Sequence, residues 1–310
     1  MITNFFYQPS LEYERLLGIL VDMVHGLYQE NGFLVLPYRL PKYGKSVFLP
    51  KLLNFEPRKY FTHLKEITPY RDIPLQKTPS VVRLLRALKA SQLKIEKIDL
   101  KATKKTVKNW KLLQPQFEDY FLEIFPQFRL YRIELDVFWS RFGTLVSFAS
   151  LKMKGKRVLI RIFLRDDMGV VQIAEGFLSG LFLDKLTRGY QYSFLQREAV
   201  FDFLIRDTKL ARLFPDFIPT LEIKPSQQKI HEHYQESIRY LKSLGLAIKP
   251  GISLSKNRIL INSEFPHYPF SPTEEEILKR LITTANEPVS YYDLGDLIWK
   301  DNLDKFWHNT

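Results

Sequence analysis

The chain has 310 residues, room for about two domains, and its hydrophobic fraction of 45% is enough for packed cores, which excludes a disordered chain. Lysine and arginine (46) outnumber aspartate and glutamate (34), and the net charge of +12 favours a polyanionic partner such as nucleic acid. The absence of cysteine excludes disulfides, thiolate metal sites and cysteine nucleophiles, and it suits a cytoplasmic setting.

The first predicted element is an amphipathic helix over residues 10–29. Ser10 is its candidate N-cap, and apolar residues then recur at helical intervals. Asp22 and His25 interrupt the apolar stretch of this helix, and no cationic leader precedes it, so we expect neither a signal peptide nor a membrane partner. A strand over residues 32–39 and a helix over residues 80–90 follow.

A lysine-rich stretch comes next, with ten basic residues and two acids between residues 83 and 111. If residues 101–113 are helical, Lys101, Lys104, Lys108 and Lys111 share one face, and Trp110 points away from it. Such a row can follow a phosphate backbone, so these four lysines and Lys105 are candidate nucleic-acid-binding residues. The pattern leaves open the alternative that the lysines only form a solvated face.

The middle of the chain predicts strands over residues 131–137, 145–151 and 158–164, which we interpret as a three-stranded, half-exposed antiparallel sheet. Helices over residues 168–183, 193–206 and 226–244 follow, and Gly245 ends the last of them. The fold class is therefore α+β. We predict a mainly helical region over 1–128, an α+β domain over 129–225, a connecting helix over 226–249 and a final domain over 250–310.

The middle domain lacks the residues that two kinds of chemistry would require. A zinc hydrolase would carry two histidines and a glutamate on the helix after the sheet, but Glu175 stands there without a histidine. A receiver domain would bury its first strand on both faces, whereas arginines line one face of residues 157–165. Asp166 and Asp167 are therefore interpreted as helix-capping acids. We expect no metal, no cofactor and no catalysis.

The C-terminal sequence carries a series of spaced signals. A turn and strand occupy residues 257–261, Ser271 and Glu274 form a capping box around Pro272, and a second helix begins at Ser290 and ends at Trp299. Over residues 252–299 this order resembles the first part of the OmpR/PhoB-type winged helix-turn-helix domain. The resemblance implies a partial winged-helix DNA-binding module, in which a following recognition helix enters the major groove.

The resemblance supplies further candidate contacts to nucleic acid, namely Ser290, Tyr291, Lys300 and Lys305. Only residues 300–310 follow Trp299, fewer than a recognition helix and wing need, so we expect the base-reading element to be missing and direct reading of DNA sequence to be lost.

These observations favour a DNA-binding, transcription-regulatory protein without enzymatic activity. One alternative is a protein-interaction scaffold with a protein partner or self-association. A weaker alternative is an inactive relative of a metal-dependent hydrolase.

Overall fold

The computed structural model describes residues 1–40, 43–52, 54–68, 78–91, 98–192, 194–219, 227–246, 252–255, 258–261, 275–277 and 279–280. The chain forms two compact units. The first unit comprises Met1–Tyr28 and Phe33–Leu246, and the second comprises Gln29–Gly32 and Ala247–Thr310.

Helices dominate the chain, and they alternate with short strands. The helices are α1 (Pro9–Val24), α2 (Leu27–Glu30), α3 (Phe61–Glu66), α4 (Pro79–Ala90), α5 (Leu100–Ile124), α6 (Val170–Asp184), α7 (Phe194–Arg206) and α8 (Gln227–Ser243). The strands are β1 (Ile2–Phe6), β2 (Leu34–Leu36), β3 (Ser46–Phe48), β4 (Arg132–Ser140), β5 (Val146–Lys154), β6 (Arg157–Arg165), β7 (Ile252–Ser255) and β8 (Arg258–Ile261). The predicted α+β class is confirmed.

The main sheet differs from the predicted one. It has four strands in the order β1-β4-β6-β5, and it is mixed, because β1 and β6 run parallel to β4 while β5 runs antiparallel to β6. The prediction of a three-stranded antiparallel sheet is therefore corrected. Alternating hydrophobicity shows which residues share a face of a strand, but it does not show which strands pair.

One face of this sheet forms the main core. Leu135 and Val137 of β4 and Ile160 and Ile162 of β6 are fully buried, and they belong to the same cluster as the aromatic residues of α5 and of α6. The opposite face packs near its end against α1, where the Arg15 guanidinium lies 4.8 Å from the ring centre of Phe163. Since β1 and α5 join this sheet and core, the boundary predicted at residue 128 does not separate two packing units.

Helix α5 is longer than the helix expected over residues 101–113, and it continues through Pro115. An interior proline removes one helical hydrogen bond and normally costs about 3 kcal/mol. Trp110, Phe117 and Phe121 recur on one face across the proline and are almost completely buried. Burying each of these rings contributes roughly 2–3 kcal/mol, which offsets the cost of the proline.

Helix α8 packs within the first unit, so it is more than a connecting helix. The hydroxyl of Ser237 accepts a hydrogen bond from the amide of Val35 in β2 at 2.9 Å. The hydroxyl of Tyr240 donates to the carbonyls of Leu49 and Pro50. β2 pairs in parallel with β3, and α8 covers this small sheet.

At the N-terminus, α1 begins at Pro9 with Gln8 at the N-cap position, so Ser10 lies inside the first turn and is not the cap. In the second unit, β7 and β8 form an antiparallel pair from Ile252–Ile261 to Ser255–Arg258. Within the described ranges, each helix is too short or too polar to cross a membrane.

Candidate nucleic-acid interface

The start of helix α5 is fixed by two aspartates. The Asp99 carboxylate accepts hydrogen bonds from the amides of Lys101 and Ala102, both at 2.9 Å, and so caps the helix. The Asp99 amide in turn donates to the Asp166 carboxylate at 2.9 Å, just beyond the end of β6. The lysine-bearing end of α5 is therefore attached to the sheet by a partly buried hydrogen bond.

The lysines of α5 occupy the positions that their spacing predicts. Lys101, Lys104, Lys105, Lys108 and Lys111 are all exposed, whereas Trp110 is buried and its indole N–H donates to the hydroxyl of Thr3 at 3.0 Å. Residues 100–117 contain no aspartate or glutamate. With a rise of about 1.5 Å per residue, the row from Lys101 to Lys111 spans about 15 Å.

Beside this row lies an open cleft of about 530 Å³ between α5 and the edge strand β1. Lys104, Lys108 and Lys111 line it, and Lys101 and Lys105 lie outside it. The rest of the lining is mainly apolar and aromatic: Phe5, Phe6, Tyr7, Ile98, Leu100, Thr103, Val107 and Trp139. Three cations and an aromatic wall are thus brought to one concave surface.

The aromatic wall of the cleft has a defined geometry. The rings of Phe5 and Trp139 are stacked, with centroids 5.9 Å apart and an interplanar angle of 19°. Phe5 is half-buried on the edge strand and lines the cleft, whereas Trp139, which also lines it, is almost completely buried. A flat, partly exposed aromatic surface of this kind suits a planar ring from a ligand.

Tyr7 adds a polar group to the cleft. Burial raises the pKa of its hydroxyl, and the nearby carboxylates of Glu12 and Asp166 raise it further against the lowering effect of Arg141. Burial also raises the pKa of Glu12 to about 7, although its carboxylate accepts hydrogen bonds from the Arg141 amide and the Ser140 hydroxyl. The Tyr7 hydroxyl therefore stays protonated and can donate a hydrogen bond.

The roles predicted for Asp166 and Asp167 need correction. Helix α6 begins at Val170 with Gly169 at its N-cap position, so neither aspartate caps it. Asp166 is completely buried, and one of its oxygens lies 2.6 Å from an Arg39 guanidinium nitrogen. Asp167 accepts two hydrogen bonds from the Arg165 guanidinium, at 2.6 and 3.1 Å. The guanidinium groups of the half-buried Arg39 and of the buried Arg165 hold both acids away from the helix.

A second basic surface was not identified from the sequence. Arg132 and four cations at the turn between β5 and β6 are exposed: Lys152, Lys154, Lys156 and Arg157. The run of alternating cations at residues 152–157 is the signal that would have indicated it. Arg132 and Arg157 are paired residues at the starts of β4 and β6. The start of the lysine-bearing helix α5 contacts the other end of β6, because the Asp99 amide donates to Asp166 there. The two basic surfaces therefore lie at opposite ends of the sheet.

Several carboxyl groups lie close together on α7 and on α6, the helix that would carry the metal ligands of a zinc hydrolase. Glu175 of α6 lies near Glu198 and Asp202 of α7, and burial together with these neighbours raises the pKa of Glu175 to about 8 and that of Glu198 to about 7. Across the residues that the structure describes, there is no group of three or more histidines, aspartates or glutamates suited to a metal ion.

The candidate nucleic-acid contacts of the winged-helix region lie outside the described residues. They are Ser290, Tyr291, Lys300 and Lys305. Both ends of the two helices expected in this region also lie outside the described residues. In this region the structure describes the β7–β8 pair and a helical segment over residues 275–277 and 279–280, where Lys279 pairs with Glu275 at 3.0 Å. The resemblance to the OmpR/PhoB type remains a prediction.

Comparison of the chain with protein-family models, with curated proteins and with solved structures gives no match.

Proposed function

We propose that this protein is a non-enzymatic nucleic-acid-binding protein that holds a phosphate backbone on the lysine face of α5. The observation that carries the proposal is the row of exposed lysines on one capped helix, in a stretch without acidic residues, beside an aromatic cleft. A lysine face with a purely solvating role needs no such cleft. DNA binding in transcription regulation is the form of this proposal that the C-terminal resemblance favours.

The spacing of the lysines suits a polyanion. The row of about 15 Å equals the axial length of about four nucleotides of one B-form strand. Contacts to four phosphates would make the logarithm of the binding constant fall with the logarithm of salt concentration with a slope of roughly −3 to −4. Because phosphate contacts position a nucleic acid without reading its bases, we expect this binding to be independent of sequence.

The test is a salt titration of binding to a fluorescent duplex, followed by anisotropy. One variant reverses the charge of the row (Lys101→Glu, Lys104→Glu, Lys108→Glu, Lys111→Glu). A control with the same net charge reverses four exposed lysines elsewhere in the first unit (Lys51→Glu, Lys65→Glu, Lys89→Glu, Lys242→Glu).

We expect the row variant to bind at least about tenfold more weakly at low salt, with a salt slope shallower by roughly three, while the control keeps most of the slope of the unmodified protein. Wild-type affinity and slope in the row variant would reject the proposal. Equal losses in both variants would also reject it, because the effect would then come from net charge and not from the helix face.

A further inference from the structure

The structure points to a more specific ligand for the cleft beside α5. We propose that this cleft takes an unpaired base of a single-stranded nucleic acid, which stacks on the Phe5–Trp139 pair while Lys104, Lys108 and Lys111 contact the adjoining phosphates. This inference rests on the proposed function, since it names the form of nucleic acid that the same lysine face would bind.

The lining of the cleft combines aromatic rings with lysines. Proteins that bind single strands combine a positively charged groove along the backbone with aromatic rings on which bases stack. Here the apolar part of the lining includes the stacked rings of Phe5 and Trp139, and the charged part consists of lysines alone. A base in a duplex is already stacked and paired, so its ring faces are not available to this surface.

The positive charge beside the cleft extends along the helix. An anionic lipid or fatty acid also has an apolar part and a charged head, but it needs cations at one point. The lysine row extends beyond the cleft to Lys101, which lies about one helical turn from Lys104 and does not line the cleft. Cations repeated along about 15 Å match a polymer with repeated phosphates, so the occupant is a nucleic-acid strand.

The size and polarity of the cleft also suit a base. The volume of about 530 Å³ lies within the range of roughly 300–1,000 Å³ typical of pockets for organic ligands. The protonated hydroxyl of Tyr7 offers a hydrogen-bond donor to a base carbonyl or ring nitrogen. Stacking is tolerant of sequence, so we expect a preference for single strands but little selectivity among bases.

The first experiment compares ligands on the unmodified protein, by fluorescence anisotropy at one salt concentration. The probes are a twelve-nucleotide oligothymidylate, an oligouridylate of the same length, an abasic oligomer with the same number of phosphates, and a duplex. We expect the abasic oligomer to bind roughly 5- to 100-fold more weakly than the oligothymidylate or the oligouridylate. The ratio between these two tells whether the sugar is recognised.

The second experiment removes the aromatic surface with a double variant, Phe5→Leu with Tyr7→Leu, which keeps apolar side chains in the cleft. The control is Phe61→Leu with Tyr190→Leu, because both of these rings are exposed, lie outside the cleft and stand beside a lysine. We expect the ratio of oligothymidylate to abasic affinity to fall toward one in the cleft variant and to persist in the control.

The outcomes separate the two proposals. Equal binding of the oligothymidylate and the abasic oligomer would overturn the base-stacking inference, while lysine-dependent binding of both would leave the proposed function standing. A normal ratio in the cleft variant would also overturn the inference. If none of the probes binds at low salt, the proposed function fails together with the inference.

Discussion

Helix α6 makes a close approach to the sheet that only glycine permits, and this contact can be tested directly. A Cβ atom at position 180 would lie much closer to Cγ2 of Ile160 than two carbon atoms approach, and 3.3 Å from a ring carbon of Phe148. Ile160 is fully buried on the central strand β6, so it cannot move aside. We therefore expect Gly180→Ala to force the helix and the sheet apart.

The expected change in the free energy of unfolding is the sum of two opposing effects. Replacing glycine by alanine within a helix stabilises it by roughly 0.5–1 kcal/mol, because the unfolded chain loses conformational freedom. Overpacking a buried contact costs about 1–3 kcal/mol. Because the approach at position 180 is far inside van der Waals contact, the upper part of the overpacking range, about 2–3 kcal/mol, applies, and the net result for Gly180→Ala is a loss of about 1–2.5 kcal/mol. Gly176→Ala should behave alike, because a Cβ there would lie 2.7 Å from Cγ2 of Val146.

Gly18 provides the matched control. It also lies within a helix, α1, but a Cβ atom there would meet nothing within 4 Å. Gly18→Ala should therefore gain roughly 0.5–1 kcal/mol, opposite in sign to Gly180→Ala. Urea denaturation followed by circular dichroism would measure both. If Gly180→Ala is as stable as the unmodified protein, the close packing of α6 on the sheet is wrong.

Two further predictions concern buried charge and helix capping. The pKa values of Glu175 (about 8) and Glu198 (about 7) exceed the ordinary value of 4.5, so the folded state binds more protons than the unfolded chain between about pH 4.5 and 8, and stability must fall as the pH rises through this window. We expect the free energy of unfolding to fall by about 4 kcal/mol between pH 6 and 8.5, and about two thirds of this loss, the share of Glu175, to be absent in Glu175→Gln; urea denaturation at several pH values would show it, and an unchanged pH dependence in that variant would contradict it. Asp99→Ala should destabilise the protein by about 1 kcal/mol through loss of the α5 cap, while Asp99→Asn, which keeps a capping oxygen, should lose much less. Equal losses in the two Asp99 variants, measured by the same denaturation, would exclude the capping role.

Several features of the molecule follow from the sequence alone, because they depend on residues close together in the chain. Hydrophobic periodicity predicts helices at the positions of α4, α6 and α8 and strands at those of β4 and β6. The three- and four-residue spacing of the α5 lysines predicts a shared exposed face, with Trp110 on the other side, and the structure has this arrangement. The spacing of neighbouring residues determines both the elements and the lysine face, so neither depends on the tertiary structure.

The tertiary structure decided what residues far apart in the chain do together. β1 joins the sheet in parallel beside β4, more than a hundred residues away, and strand pairing at that distance leaves no periodic signal. The cleft exists only because Phe5 and Trp139 meet beside α5. Asp166 was expected to cap a helix on the evidence of its neighbours in sequence, but Arg39 and the Asp99 amide, both distant in sequence, hold it in the core. Burial and the partners of buried charges depend on the whole fold, because desolvation makes an unpaired charge so costly that distant partners override local preference.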